Sequence, residues 1–242
     1  MSINRVALAC LVPAVSVLFA AAGGLIDETA GTSNPSAPVF EVDPFWPKPL
    51  PHNWIIGQVA GVAVDSRDHV WIVHRPGSLT IEEAGAAQDP PISECCIPAP
   101  PVIEFDTDGE LLQAWGGPES HAPWPVGEHG IYVDHESHVW IASSGADDHV
   151  VLKFTSDGKR LLQIGEFGKT GGNGDTKLLG GPSDIAVDAA ANEVYVSDGY
   201  ANQRVIVFDS ESGEYKRHWG AYGELPGDPE LAPYDPAAPP AR

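Results

Sequence analysis

Three side chains able to carry polar chemistry stand where an internal repeat of this chain stops repeating: Arg75, His129 and Tyr200. A guanidinium steadies developing negative charge, an imidazole ligates a metal or carries a proton, and a phenol exchanges a proton with a reacting hydroxyl. Arg75 takes the place held by Ser144 and Gly199 in the other two copies of the repeat, Tyr200 that of Pro76 and Gly145, and His129 that of Ala60 and Ser183. Matching positions are architectural, so mismatches of this kind on one face are candidates for function. Each also has a plain reading: a rim charge, a packed loop aromatic and a satisfied histidine.

The repeat must position them. GVAVD at residues 61–65 returns as GIYVD at 130–134 and DIAVD at 184–188, and HVWIVH at 69–74 returns as HVWIAS at 138–143 and EVYVSD at 193–198. VIEFDTDGE, VLKFTSDGK and VIVFDSESGE supply a third run, and LLQAWG, LLQIG and YKRHWG a fourth. In the clearest copy the runs fall at 185–187, 193–196, 204–208 and 215–219, cut by Asp, Asn, Gly and Ser. Alternation, β-branched and aromatic content and turn residues between the runs predict a four-stranded antiparallel meander. Phe105, Phe154 and Phe208 mark one strand position at separations of 49 (154 − 105) and 54 (208 − 154) residues. Units of that period and strand count are β-propeller blades. The fold class is therefore all-β, with blades at 61–117, 130–168 and 184–220 inside a body spanning 39–223. In an antiparallel blade the start of the first strand and the end of the second share a face, which brings Arg75, His129 and Tyr200 to one mouth of the central channel.

Propellers close with roughly four to eight blades, because closure removes strand edges. Three blades predict a piece of a larger ring, the others supplied by a longer chain or by self-association. The insert at 77–100 is acidic and proline-rich, reading as a solvated loop or a binding loop. A short strand is expected at 39–42. Asp65, Asp134 and Asp188 recur after the first strand and read as turn formers. His69 and His138 read as half-exposed, His149 as structural, and Trp71 and Trp140 as inter-blade core.

The net charge of −21 argues against nucleic acid and against anionic membrane surfaces. Arg5, the apolar run from Val6 to Ala22 and the small residues at its end predict a signal peptide over residues 1–22, a linker over 23–38 and a secreted or periplasmic protein. No membrane contact beyond that segment is expected, and residues 224–242 read as a proline-rich tail or an inter-blade connection. Cys95 and Cys96 are adjacent; neighbouring cysteines rarely pair, so they read as thiols without partners in this chain.

On GQVAGVAVD (57–65), VWIVHRP (70–76), EHGIYVD (128–134) and VYVSDGYANQRVIVF (194–208), the chain resembles NHL-repeat propellers, and within them the peptidyl-α-hydroxyglycine α-amidating lyases. The resemblance implies a six-bladed propeller of which this chain is the first half. It implies a lyase that splits peptidyl-α-hydroxyglycine into a peptide amide and glyoxylate at a zinc ion, with calcium nearby. By that resemblance Arg75 and Tyr200 are catalytic, His129 ligates zinc, and the backbone carbonyls of Val62 and Ile131 bind calcium. The chain departs from the family pattern at Pro76 (glycine in HRG), Glu128 (proline in PHG) and Ala201 (cysteine). A catalytic zinc takes three protein ligands, so this chain by itself is expected to be inactive. The partner is then a small peptide-like substrate. The competing expectation is a non-catalytic exported propeller binding a protein, peptide or glycan; a metal-dependent lactonase-type propeller is the weaker third.

Overall fold

The computed structural model describes residues 39–119 and 123–227. It divides into two units, Met1–Val42 and Asp43–Arg242. Of the first, residues 39–42 are described; they are exposed and form no strand, against the expectation of one there. The expected signal peptide and linker lie outside the described residues.

In the second unit, β1 (Trp54–Ile55), β2 (Gln58–Val64), β3 (Val70–Arg75), β4 (Ile97–Pro98), β5 (Val102–Phe105) and β6 (Leu111–Trp115) form the first copy of the repeat with its insert. The second copy is β7 (Glu128–Val133), β8 (Val139–Ser143), β9 (Val150–Phe154) and β10 (Arg160–Gly165). The third is β11 (Pro182–Asp188), β12 (Glu193–Asp198), β13 (Arg204–Asp209) and β14 (Tyr215–Trp219). Each copy is one four-stranded antiparallel sheet in meander order, β2-β3-β5-β6, β7-β8-β9-β10 and β11-β12-β13-β14. The protein is all-β, built of propeller blades.

The turns explain why these runs pair in this register. The Asp65 Oδ1 atom accepts the backbone N–H groups of Arg67 and His69, Asp134 those of Glu136 and His138, and Asp188 those of Ala190 and Ala191. Each carboxylate folds the chain back on itself, and a later residue in each turn (Asp68, Ser137, Asn192) takes a left-handed backbone. Burial works to raise the Asp65 pKa, yet hydrogen bonds from Arg67, Trp71 and His69 outweigh it and hold the group at about 2.

Packing runs between blades. Trp71, Val73 and Val102 of the first sheet bury against Ile131, Val133, Leu152 and Phe154 of the second. Trp140 of the second packs with Ile185, Val196 and Phe208 of the third. Trp71 and Trp140 are fully buried, and their indole N–H groups donate to Asp65 and Asp134. In the first two blades one aspartate thus closes the hairpin and satisfies the polar atom of the core tryptophan, whereas in the third Tyr195 holds that position and its hydroxyl donates to Glu193.

The insert is largely exposed but carries some regular structure of its own. β4 pairs in parallel with β1, and 3-10 turns occupy Pro76–Ser78 and Gly85–Ala87. Cys95 and Cys96, expected as unpaired thiols, are joined to each other by a disulfide. The constraint on neighbouring cysteines makes such a bond uncommon rather than forbidden.

Candidate functional site

The three first strands, β2, β7 and β11, stand side by side, and each carries an irregularity in its pairing at the same place: between Val59 and Gly61, Glu128 and Ile131, and Pro182 and Asp184. Such a bulge re-aims the side chain it carries. The strands also approach closely. A Cβ on Gly61 would stand 2.9 Å from the His129 carbonyl oxygen, and one on Gly130 would stand 2.6 Å from that of Ser183. Between them lies a cavity of about 290 Å³ lined by Ala60, Val62, His129, Ile131, Ser183 and Asp184 among others. Val62 and Ile131, whose carbonyls the resemblance assigns to calcium, are both in its wall.

His129 meets Tyr200 there. Its Nε2 atom lies 2.8 Å from the Tyr200 hydroxyl, and the two rings cross edge to face with centroids 5.3 Å apart. Arg75 does not touch either ring; its Nε donates to the carbonyl of Glu128, one residue before His129, at 2.7 Å. All three expected residues therefore gather at one end of the first strands, two in direct contact and the third through the backbone.

Comparisons with known proteins place the chain in a family. The NHL repeat family matches residues 179–208, the third copy. Peptidylglycine alpha-amidating monooxygenase of Rattus norvegicus is 30% identical over 176 residues, covering 68% of this chain and 16% of that protein. Peptidyl-alpha-hydroxyglycine alpha-amidating lyase 2 of Drosophila melanogaster is 30% identical over 174 residues, covering 66% of this chain and 39% of that protein. The chain belongs to the NHL-repeat family and resembles its amidating lyases. It spans well under half the length of these relatives. Among solved structures, a streptogramin B lyase aligns with a TM-score of 0.42 and 10% identity, covering 70% of this chain and 42% of that one.

In this NHL-repeat chain the turn carrying Tyr200 is held from beneath by a network that the repeat comparison did not single out. Arg204, with a fully buried side chain, donates from Nε to Asp198 at 2.9 Å. Its other nitrogens donate to the carbonyls of Asn173, Asp175 and Leu178. Asn202 donates to Asp198 and to the Gly171 carbonyl, and the N–H of Ala201 donates to the Gly180 carbonyl. Four residues of SDGYANQR thus build the platform and leave Tyr200 exposed at its top.

A second pattern went unread because its chemistry changes from blade to blade. The chain enters each first strand with backbone N–H groups that need a side-chain acceptor, one in the first and third blades and two, those of Val126 and Gly127, in the second. Gly57 N–H finds His74 Nδ1, Val126 N–H finds Asp148 Oδ2, and Gly180 N–H finds Asp198 Oδ1. His74 and Asp198 hold equivalent repeat positions, whereas their counterpart Ser143 donates its hydroxyl to Asp148, which reaches in from further along. Three residue types do one job, so identity hides what position shows.

The metal question has a clear local answer. Among the described residues, the one cluster of His, Cys, Asp or Glu with three ligand atoms close enough for an ion is Asp65, His69 and Glu104, and it excludes His129. Arg67 already bridges that cluster, its Nη2 lying 2.6 Å from Asp65 and 2.8 Å from Glu104. His129 is a single nitrogen ligand where a catalytic zinc takes three protein ligands, so the described residues do not by themselves fit a zinc ion.

Proposed function

We propose that this chain carries part of the active site of an exported amidating-lyase-like propeller, which splits a peptidyl-α-hydroxyglycine into a peptide amide and glyoxylate. The observation that carries the reading is the direct contact of His129 with Tyr200, with Arg75 bonded to the residue beside them. In that reaction the substrate hydroxyl loses its proton, its oxygen becomes the aldehyde oxygen of glyoxylate, the C–N bond breaks and the amide nitrogen gains a proton. Tyr200 is placed to receive the hydroxyl proton, His129 to fix the phenol's orientation, and Arg75 to steady the negative charge that builds on oxygen. Further blades, from a longer chain or from another copy, would supply the remaining ligands of a zinc and of a calcium near Val62 and Ile131. No step is assigned to either ion.

A second reading is favoured by the lone histidine: the same face binds a peptide, protein or glycan without cleaving it. The two separate in one experiment. Full-length protein is incubated with an N-acyl-α-hydroxyglycine at neutral pH, glyoxylate is measured, and bound zinc is determined by elemental analysis. Glyoxylate release that Tyr200→Phe abolishes supports the lyase. Peptide binding without release, in zinc-loaded and zinc-free protein alike, supports the binding module and removes the lyase reading.

A further inference from the structure

The face that carries Arg75, His129 and Tyr200 also carries an apolar trough beside them. A cavity of about 280 Å³ opens between the first and second blades, walled by Pro76, Pro101, Pro118, Pro125, Trp124 and Val126. Pro76 follows Arg75 in sequence, and Glu128, which lines the cavity floor, precedes His129. Adjacent Cα atoms stand about 3.8 Å apart, so the cavity wall begins within a few ångströms of the site. A second cavity of about 380 Å³ shares Pro76, Pro101 and Pro118 with the first and continues over Trp54, Ile97 and Pro98. The two cavities thus share a wall.

The lining decides what it accepts. Proline offers no N–H, so these walls present few main-chain donors and recognise shape and apolar surface instead. Tryptophan and proline rings supply flat faces against which an aromatic or branched aliphatic side chain packs. Two acidic residues border the lining: Glu119 is exposed at the edge of the second cavity, while Glu128 in the first is almost wholly buried and accepts a hydrogen bond from the Trp124 indole at 2.7 Å, and burial pushes its pKa up, which lowers the charge it presents. The size suits one side chain per cavity.

We propose that this trough is the subsite for the residues preceding the reacting glycine, and that it selects peptides with apolar, preferably aromatic, side chains there. The proposal rests on the lyase-like reading for the direction of the peptide, since the reactive end must lie at Tyr200 and the remainder must leave along a surface continuous with it.

The test uses full-length protein and calorimetric binding of two peptide amides, acetyl-Lys-Phe-Phe-amide and acetyl-Lys-Ser-Ser-amide. The Phe peptide should bind at least ~10-fold more tightly, the discrimination an apolar pocket typically supplies. Two substitutions close the trough from opposite walls without touching the core. Val126 is 80% exposed, so Val126→Glu places a charge at the mouth. A Cβ on Gly77 meets nothing within 4 Å, so Gly77→Leu fills the space. Both should reduce the preference to under ~3-fold, while Leu161→Glu on the second blade leaves it unchanged. Equal binding of the two peptides, or an undiminished preference in both variants, overturns the proposal. Tyr200→Phe separates it from the lyase reading, since it should remove glyoxylate release while keeping the Phe preference. Release without preference sinks the trough alone, and preference without release sinks the lyase alone.

Discussion

His129 and Tyr200 are 71 residues apart in sequence and hydrogen-bonded at 2.8 Å. The histidine sits on the bulge of a first strand, and the tyrosine on the turn that leaves the second strand of the next blade. Two blades must pack in register for them to meet. Tyr200 is 66% exposed, so the bond adds little to folding. Tyr200→Phe should change unfolding free energy by less than ~1 kcal/mol while visibly moving the His129 imidazole resonances in NMR. A large loss of stability would show that the pair is a structural strut.

Arg204 should behave in the opposite way. Its side chain and that of Asp198 are both fully buried and paired at 2.9 Å. Arg204→Leu removes one partner and strands the other charge, which typically costs ~3–5 kcal/mol. Denaturant unfolding should show that loss, and amide exchange should rise across residues 173–178, where Arg204 holds the carbonyls of Asn173, Asp175 and Leu178. Unchanged exchange there would mean that the Tyr200 turn does not depend on this anchor.

His74 sets a pH window. Its Nδ1 accepts from Gly57 and its Nε2 lies 3.0 Å from the Pro100 carbonyl, so the neutral ring with a proton on Nε2 satisfies both neighbours. Burial, opposed by the Pro100 bond, lowers its pKa from 6.5 to about 4. Between those values the unfolded chain binds the extra proton and the folded one does not. Stability is therefore full above pH ~6.5 and falls as pH drops towards ~4, by up to ~3 kcal/mol for this group. His74→Gln should flatten that slope, as thermal melts across the window would reveal.

Glu128 carries the reverse sign. Burial raises its folded pKa, so the folded state holds a proton that the unfolded state releases as pH rises. Its contribution to stability is lost as pH climbs above the ordinary carboxylate range. Glu128→Gln should therefore be more stable than the natural protein at neutral pH and equal to it in acid. Chemical denaturation at two pH values decides this.

Gly130 has no room for a methyl group. A Cβ there would stand 2.6 Å from the Ser183 carbonyl and 3.0 Å from the Asp184 Cα, both backbone atoms. Gly130→Ala should cost ~1–3 kcal/mol by forcing the second and third first strands apart. It should also weaken the His129–Tyr200 contact, read as a shift of the same imidazole resonances. Gly77→Ala, with open space around it, is the matched control.

The blades were legible because their signals are local. Alternating runs, the Asp that folds each hairpin and the recurring Phe and Trp each act within a few residues or repeat along the chain, so the strands fall close to where the runs predict. Even there the sequence reading began the third copy at residue 184, while β11 begins at Pro182, because the irregularity between Pro182 and Asp184 breaks the alternation. The repeat comparison also exposed Arg75, His129 and Tyr200 as mismatches, and strand direction alone placed them on one face. What composition and spacing could not decide was contact. Whether His129 touches Tyr200, where Arg75 donates, and which acceptor meets each incoming N–H depend on how blades pack, a matter of volumes and backbone approach between segments far apart in sequence. The same holds for the bond between Cys95 and Cys96, for the pairing of β4 with β1, and for the proline trough. That trough has no motif at all, since its walls come from several separate stretches, and only their packing makes them one surface.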